Sequence, residues 1–122
     1  PLGTSIRFNQ TGEIVAGKSQ SGSDADEFKN PSCLYIDAND TMYICDHHND
    51  RVQRWVIGER NATTVAGTSA GTGATATPHA QSLTFDKDGY MYVTGHALDK
   101  VLRYSSNSVV GTLVAGSTTA GS

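Results

Sequence analysis

An internal repeat constrains this chain more than any other feature of it. Residues 33–73 superpose on residues 82–122 without a gap, 49 positions apart. Leu34 meets Leu83, Asp37 meets Asp86, Met42 and Tyr43 meet Met91 and Tyr92, His47 meets His96, and Asp50 meets Asp99. Val52 and Arg54 return as Val101 and Arg103, and residues 63–67 and 112–116 share the pattern T-x-V-A-G. A period of this size means that one supersecondary unit is used twice.

Each unit contains four short apolar runs. In the first they are residues 33–36, 42–45, 51–55 and 63–66. Runs this short, rich in Val, Ile, Tyr and Trp and bounded by Asp, Asn and Gly, predict strands rather than helices. The short connections predict a four-stranded antiparallel meander, with strands a to d. Met42, Tyr43 and Ile44, like Met91, Tyr92 and Val93, leave no wet face on strand b, so the sheet needs cover on both sides. Stacked sheets of this repeat length, each covered by its neighbours, describe an all-β fold of β-propeller blades.

The order L-x-I-D, M-Y-I-C-D, N-D-R-V-Q-R-W and T-T-V-A-G, with Asn30-Pro31 ahead of strand a, resembles the NHL repeat. The resemblance covers nearly the whole chain and implies a propeller, usually of six blades. The second unit departs from it, with Ala80 in place of Pro31, Gly95 in place of Asp46 and Leu98 in place of Asn49. Those changes spare the strands but alter the polar b-to-c turn.

Pro1-Leu2-Gly3 resembles the scar of a cleaved tag, which sets residues 1–4 apart. Residues 5–17 then form the tail of a preceding blade: 5–8 read as a remnant of strand c, and GEIVAG at 12–17 matches a d strand. Residues 18–67 make blade 1, 68–116 blade 2, and 117–122 a C-terminal tail. The d-to-a connections at 18–29 and 68–78 are polar and Gly-rich, and are expected to be solvated linkers.

Partner classes are narrowed by charge. With 122 residues, a net charge of −3 and scattered basic side chains, a nucleic-acid partner is not expected, because phosphate binding needs clustered Lys and Arg. No apolar stretch approaches the roughly 18 residues of a membrane span, so membrane insertion is not expected either.

Asp37 to Asp40 and Asp86 to Gly89 link strands a and b. Asp88-Gly89 favours a hairpin, and the remaining acidic ligands of a calcium loop are missing, so both read as plain turns. A turn centred on Asn39 places Ile36 opposite Met42, Leu34 opposite Ile44 and Cys33 opposite Cys45. Opposed residues lie close enough for a disulfide. Bridge and buried thiols both remain open, since Ser82 and Thr94 at the matching places show that the unit does not require sulfur. Asn9, Asn39 and Asn61 begin Asn-x-Ser/Thr sequons. All three fall in a-to-b or c-to-d turns, hence on one face, as a secreted and glycosylated protein would place them.

The opposite face carries Asp46, His47, His48, Asn49 and Asp50, with His96 and Asp99 in the weaker copy. These are the candidate binding residues, on a solvated polar turn. His47, His96 and His79 could hold a metal, as in the peptide-amidating lyases built on NHL-like propellers. Turn histidines in NHL repeats are common without one, and neither metal nor other cofactor is assigned. Nucleophile elbow, P-loop and H-E-x-x-H signatures are absent.

The leading expectation is a non-catalytic binding or scaffold module that meets another protein or a glycan. A fragment of a metal-dependent enzyme is the alternative, and RNA binding, known for some NHL domains, is opposed by the charge. Two blades and a spare strand cannot close a ring that needs at least about four. The chain is therefore expected to form a homo-oligomer, with a trimer giving six blades and residues 12–17 latching onto a neighbour.

Overall fold

The computed structural model describes residues 7–67, 79–95 and 99–116. It contains two four-stranded antiparallel sheets. The first runs β1 (Pro31–Ile36), β2 (Thr41–Asp46), β3 (Arg51–Val56) and β4 (Thr63–Gly67) in spatial order. The second repeats this with β5 (Ala80–Phe85), β6 (Met91–Gly95), β7 (Lys100–Tyr104) and β8 (Thr112–Gly116). Among the described residues the one helical piece is a 3-10 turn at His47–Asn49, so the chain is all-β, with a meander for each repeat.

The hairpin register has a local cause. The Asp37 Oδ1 accepts the backbone N–H of Asn39 at 2.8 Å and of Thr41 at 3.0 Å, and Asp40 adopts a left-handed φ of 58°. This Asx turn fixes which residues oppose one another. Ile36 faces Met42, Leu34 faces Ile44, and Cys33 faces Cys45. The second unit is built the same way. Asp86 accepts the amides of Asp88 and Tyr90, and Gly89 takes the positive φ. Burial pushes the Asp86 carboxyl up, but the Tyr92 hydroxyl at 2.8 Å and these amides outweigh it and hold it below the usual carboxylate range.

The cysteines are bridged, with Cα atoms 4.9 Å apart. That resolves the alternative left open by the sequence.

Each sheet has two distinct faces. Cys45, Val52 and Ala66 on the back of the first sheet are fully buried against Ala80, Met91, Val93 and Tyr104 of the second. Phe85 seals this interface, with its ring 5.1 Å from Tyr35 and 4.7 Å from Tyr43. The sheets approach most closely where β1 lies along β5, and the Ser32 hydroxyl donates to the Ala80 carbonyl at 3.0 Å. Trp55, at the station equivalent to Tyr104, does not enter this interface. It packs on the front of the first sheet with Met42, Ile44, Ala16, Phe28 and Ala62.

Two expectations about the N-terminal region are corrected. Residues 12–17 form no strand: a d strand needs a c strand beside it, and 7–10 have no regular structure. Ala16 and Phe28 instead lie over Met42, Ile44 and Trp55. Gly17 nevertheless has φ 84°, matching 82° at Gly67 and 88° at Gly116, so the T-x-V-A-G ending keeps its terminal geometry without its ladder. For the connection at 18–29 the correction is partial: most of its residues are exposed, as expected of a solvated linker, but the stretch around Glu27 is packed onto the fold. Glu27 is buried, its carboxylate accepts from the Gln20 amide at 2.8 Å, and Gly22 N–H donates to the Phe28 carbonyl. The matching segment 68–78 lies outside the described residues.

Candidate functional site

The β2–β3 connection begins with a buried ion pair. Asp46 and Arg51 oppose each other at the ends of the two strands, and Arg51 Nε donates to Asp46 Oδ2 at 2.7 Å. Both side chains are essentially inaccessible, at 1% and 0% exposure. The other guanidinium nitrogens donate to the backbone carbonyls of Ser23 (2.9 Å), Asp24 (3.1 Å) and Glu27 (3.1 Å). Asp46 accepts the Lys29 amide at 2.7 Å and the Asn49 side-chain amide at 2.8 Å. Asn49 Nδ2 also donates to the Gly22 carbonyl. A loop whose carbonyls point inward leaves acceptors that must be satisfied, and a planar five-donor guanidinium suits that task.

The expectation of a solvated polar turn is therefore corrected at Asp46 and Asn49, whose polar atoms are engaged inside the fold. His47, His48 and Asp50 remain at the surface. Asp50 closes the 3-10 turn in left-handed geometry, φ 51°, and Asp99 repeats that angle in the second unit. Asp50 Oδ1 accepts the His79 backbone N–H at 2.7 Å, which ties the start of β5 to this turn. On the other side, His48 N–H donates to the Lys29 carbonyl at 3.0 Å, and its Nδ1 lies 2.8 Å from the Asn30 amide. Asn30 and His79 are equivalent residues, one before each first strand, and both have φ 52°. The His47-His48 turn thus sits between matching stations of successive units.

Three imidazoles gather there. Ring centroids are 4.8 Å apart for His47 and His48, 4.9 Å for His47 and His79, and 5.9 Å for His48 and His79. Asp50 Oδ1 is 3.8 Å from His79 Nδ1, which is buried and has no hydrogen-bond partner. His96 lies outside the described residues, so the expected pairing of His47 with His96 has no counterpart here. Asp99 is exposed. Among the sequon asparagines, Asn9, Asn39 and Asn61 are all exposed. Asn39 and Asn61 lie in the β1–β2 and β3–β4 turns, at the end of the sheet opposite the histidines. Ile57 N–H donating to the Asp40 carbonyl joins those two turns.

Sequence reasoning missed Arg51 and Asn30. Hairpin pairing could have found the first, because Asp46 and Arg51 must oppose each other across the turn. The second unit has Gly95 and Lys100 at those places, so no such pair can form there. No helix of the described chain is long and apolar enough to cross a membrane. Comparison with protein-family models and with curated proteins gives no match for this chain.

Proposed function

We propose that the two sheets are blades of an NHL-type β-propeller, and that the chain is a binding or scaffold module that stacks head to tail with copies of itself. The observation that carries this reading is that the back of the second sheet lacks the cover that the back of the first has, while the equivalent front of the first sheet is covered only in part, by Ala16 and Phe28 over Met42, Ile44 and Trp55. On the back of the first sheet Cys45, Val52 and Ala66 are buried, whereas their equivalents Thr94 and Ala115 are exposed and Val101 is only half-buried. On the front of the second sheet Leu83 and Phe85 pack into the core, whereas their equivalents Leu34 and Ile36 are 61% and 51% exposed. An apolar groove of about 390 Å³ beside Leu34 is lined by Val15, Phe28, Met42 and Ile44.

The sheet-to-sheet contact inside the chain is the template for a contact between chains. Such heterologous contacts form a closed ring when the rotation allows, and three two-blade chains make six blades. The close approach of β1 and β5 fits first strands gathered around an axis. The loop end bearing His47 and His48 is then the face that meets a protein or glycan. A disulfide of this kind persists outside reducing compartments, which with three exposed sequons supports an extracellular location.

Light scattering on the purified chain at micromolar concentration tests the assembly. A trimer that Leu34→Glu converts to smaller species is expected. A folded monomer overturns the proposal, and would mean that Ser82, Thr84 and Thr94 adapt the outer face to water. A dimer removes the six-blade arithmetic.

A further inference from the structure

We infer that His47, His48 and His79 form a three-imidazole site for a divalent transition-metal ion of the zinc, nickel or copper class. The inference does not depend on ring closure, since all three residues belong to one chain and to its two packed sheets. One ligand atom from each residue lies within 4.8 Å of the other two. Metal–nitrogen bonds of about 2.0–2.1 Å in tetrahedral geometry need nitrogens roughly 3.3 Å apart, so rotation of the rings about their side-chain bonds must draw them together by about 1.5 Å at most. The surroundings permit that movement: His48 is exposed, and His47 and His79 are half-buried.

The backbone beneath them is held more firmly. His47 and His48 stand on a turn that the Asp46–Arg51–Asn49 network anchors from below, and His79 is tied to the same turn through Asp50. The backbone stations are thus fixed in advance, and only the ring rotamers have to change for the three nitrogens to converge. The donor chemistry also fits. Neutral imidazole suits zinc, copper and nickel, and a ligating ring usually directs its second nitrogen to a carboxylate, carbonyl or amide oxygen.

Each outer ring has an oxygen-bearing side chain near its Nδ1, within hydrogen-bond distance at His48 and beyond it at His79. Asp50 Oδ1 stands 3.8 Å from His79 Nδ1, an atom that is buried without a hydrogen bond. A proton on that nitrogen would point to the carboxylate and leave Nε2 for the metal. Asn30 stands 2.8 Å from His48 Nδ1. With the Asn30 amide turned so that its oxygen accepts from Nδ1–H, His48 Nε2 is likewise available, and the two amide orientations have the same heavy-atom shape. Three protein ligands leave a fourth position for water or an exogenous group.

This set is not one histidine per repeat. Two ligands are consecutive on one turn and the third precedes the next sheet, so His96 is not required.

The test uses the whole chain, stripped with chelator and titrated with zinc chloride by calorimetry, with histidine ring shifts followed by NMR. One zinc per chain with a Kd in the micromolar range or tighter is expected, with the ring signals of His47, His48 and His79 moving and that of His96 still. His48→Gln and His79→Asn should each weaken binding at least tenfold. Asn at 79 accepts the left-handed φ, so that variant is expected to fold. His96→Ala should bind as the parent does. Binding weaker than about 100 μM in the folded parent, unchanged affinity in both variants, or loss of binding only in His96→Ala would each overturn the site.

Discussion

Removing the Asp46 carboxylate should be among the most damaging single changes available in this chain. In Asp46→Ala the Arg51 guanidinium, at 1% exposure, loses the carboxylate that its Nε meets at 2.7 Å, while the Lys29 amide and the Asn49 side chain each lose an acceptor. Breaking a buried pair from one side costs about 3–5 kcal/mol, because the remaining charge is uncompensated. Against the about 5–15 kcal/mol that holds a typical domain folded, this is a large fraction. Replacing both partners with apolar residues is often neutral elsewhere, but not here. Arg51 also satisfies the carbonyls of Ser23, Asp24 and Glu27, so Asp46→Leu/Arg51→Met should remain destabilised, though by less than the sum of the single changes.

Urea denaturation followed by tryptophan fluorescence is the assay. The single Trp, Trp55, sits 5.8 Å from Phe28 on the far side of the gripped loop, so it reports both global and local release. Hydrogen exchange at Gly22 and Glu27, whose amides donate to the Phe28 and Asp24 carbonyls, separates the two. Asp46→Ala within about 1 kcal/mol of the parent, with those amides still protected, would refute the reasoning.

Unreduced protein should present no alkylatable thiol at Cys33 or Cys45, and reduction should cost about 2–3 kcal/mol for so short a loop, read as a shift in the urea midpoint. Trp55→Ala should cost about 3–5 kcal/mol, since it empties the cluster of Met42, Ile44 and Phe28; near-parent stability would place the ring's contribution elsewhere. Burial pushes the Tyr104 hydroxyl up from 10.0 to about 12. Its folded pKa is raised, so the stability linked to it, about 2–3 kcal/mol, is complete below pH 10 and is lost as pH rises towards 12. The Tyr92 hydroxyl, which donates to Asp86, is also held up, so ultraviolet titration should find a late-ionising fraction that shrinks by one tyrosine in Tyr104→Phe.

Strand positions, hairpin register and the Cys33–Cys45 pairing were legible because they follow from period and turn alone. Once Asp37 nucleates a turn, opposition along the ladder is arithmetic, and the same argument works for Asp86. Polar burial was not legible in that way. Asp46 and Arg51 look like ordinary charged residues at the ends of a turn, and what buries them is the carbonyl-rich loop 22–29, whose contacts with them span 17 to 28 residues of sequence. Nothing in Ser23, Asp24 or Glu27 announces that their carbonyls face inward. The GEIVAG segment failed for the converse reason. Its local pattern is that of a strand, but a strand is a pairwise object, and no ladder partner lies beside it among the described residues. The histidine cluster was partly legible: His47 and His79 were grouped, but with His96 rather than His48, which was placed on the turn without its Asn30 contact.

The two repeats share a backbone and differ in what fastens it. Left-handed residues recur at matched stations, Asn30 with His79, Asp40 with Gly89 and Asp50 with Asp99, so these positions keep one backbone geometry in both units. The first unit adds a disulfide, a buried ion pair and a stapled loop. The second has Ser82 and Thr94 for the cysteines, and Gly95 and Lys100 for Asp46 and Arg51. All three fastenings of the first unit converge on one place. Cys45 and Asp46 are adjacent, Asp46 opposes Arg51 and Pro31, and the turn between Asp46 and Arg51 carries His47 and His48. A hairpin that needed only to fold could do with what the second unit has. The extra constraint in the first is concentrated under the two histidines, and it leaves their rings as the adjustable part of an otherwise fixed end of the sheet.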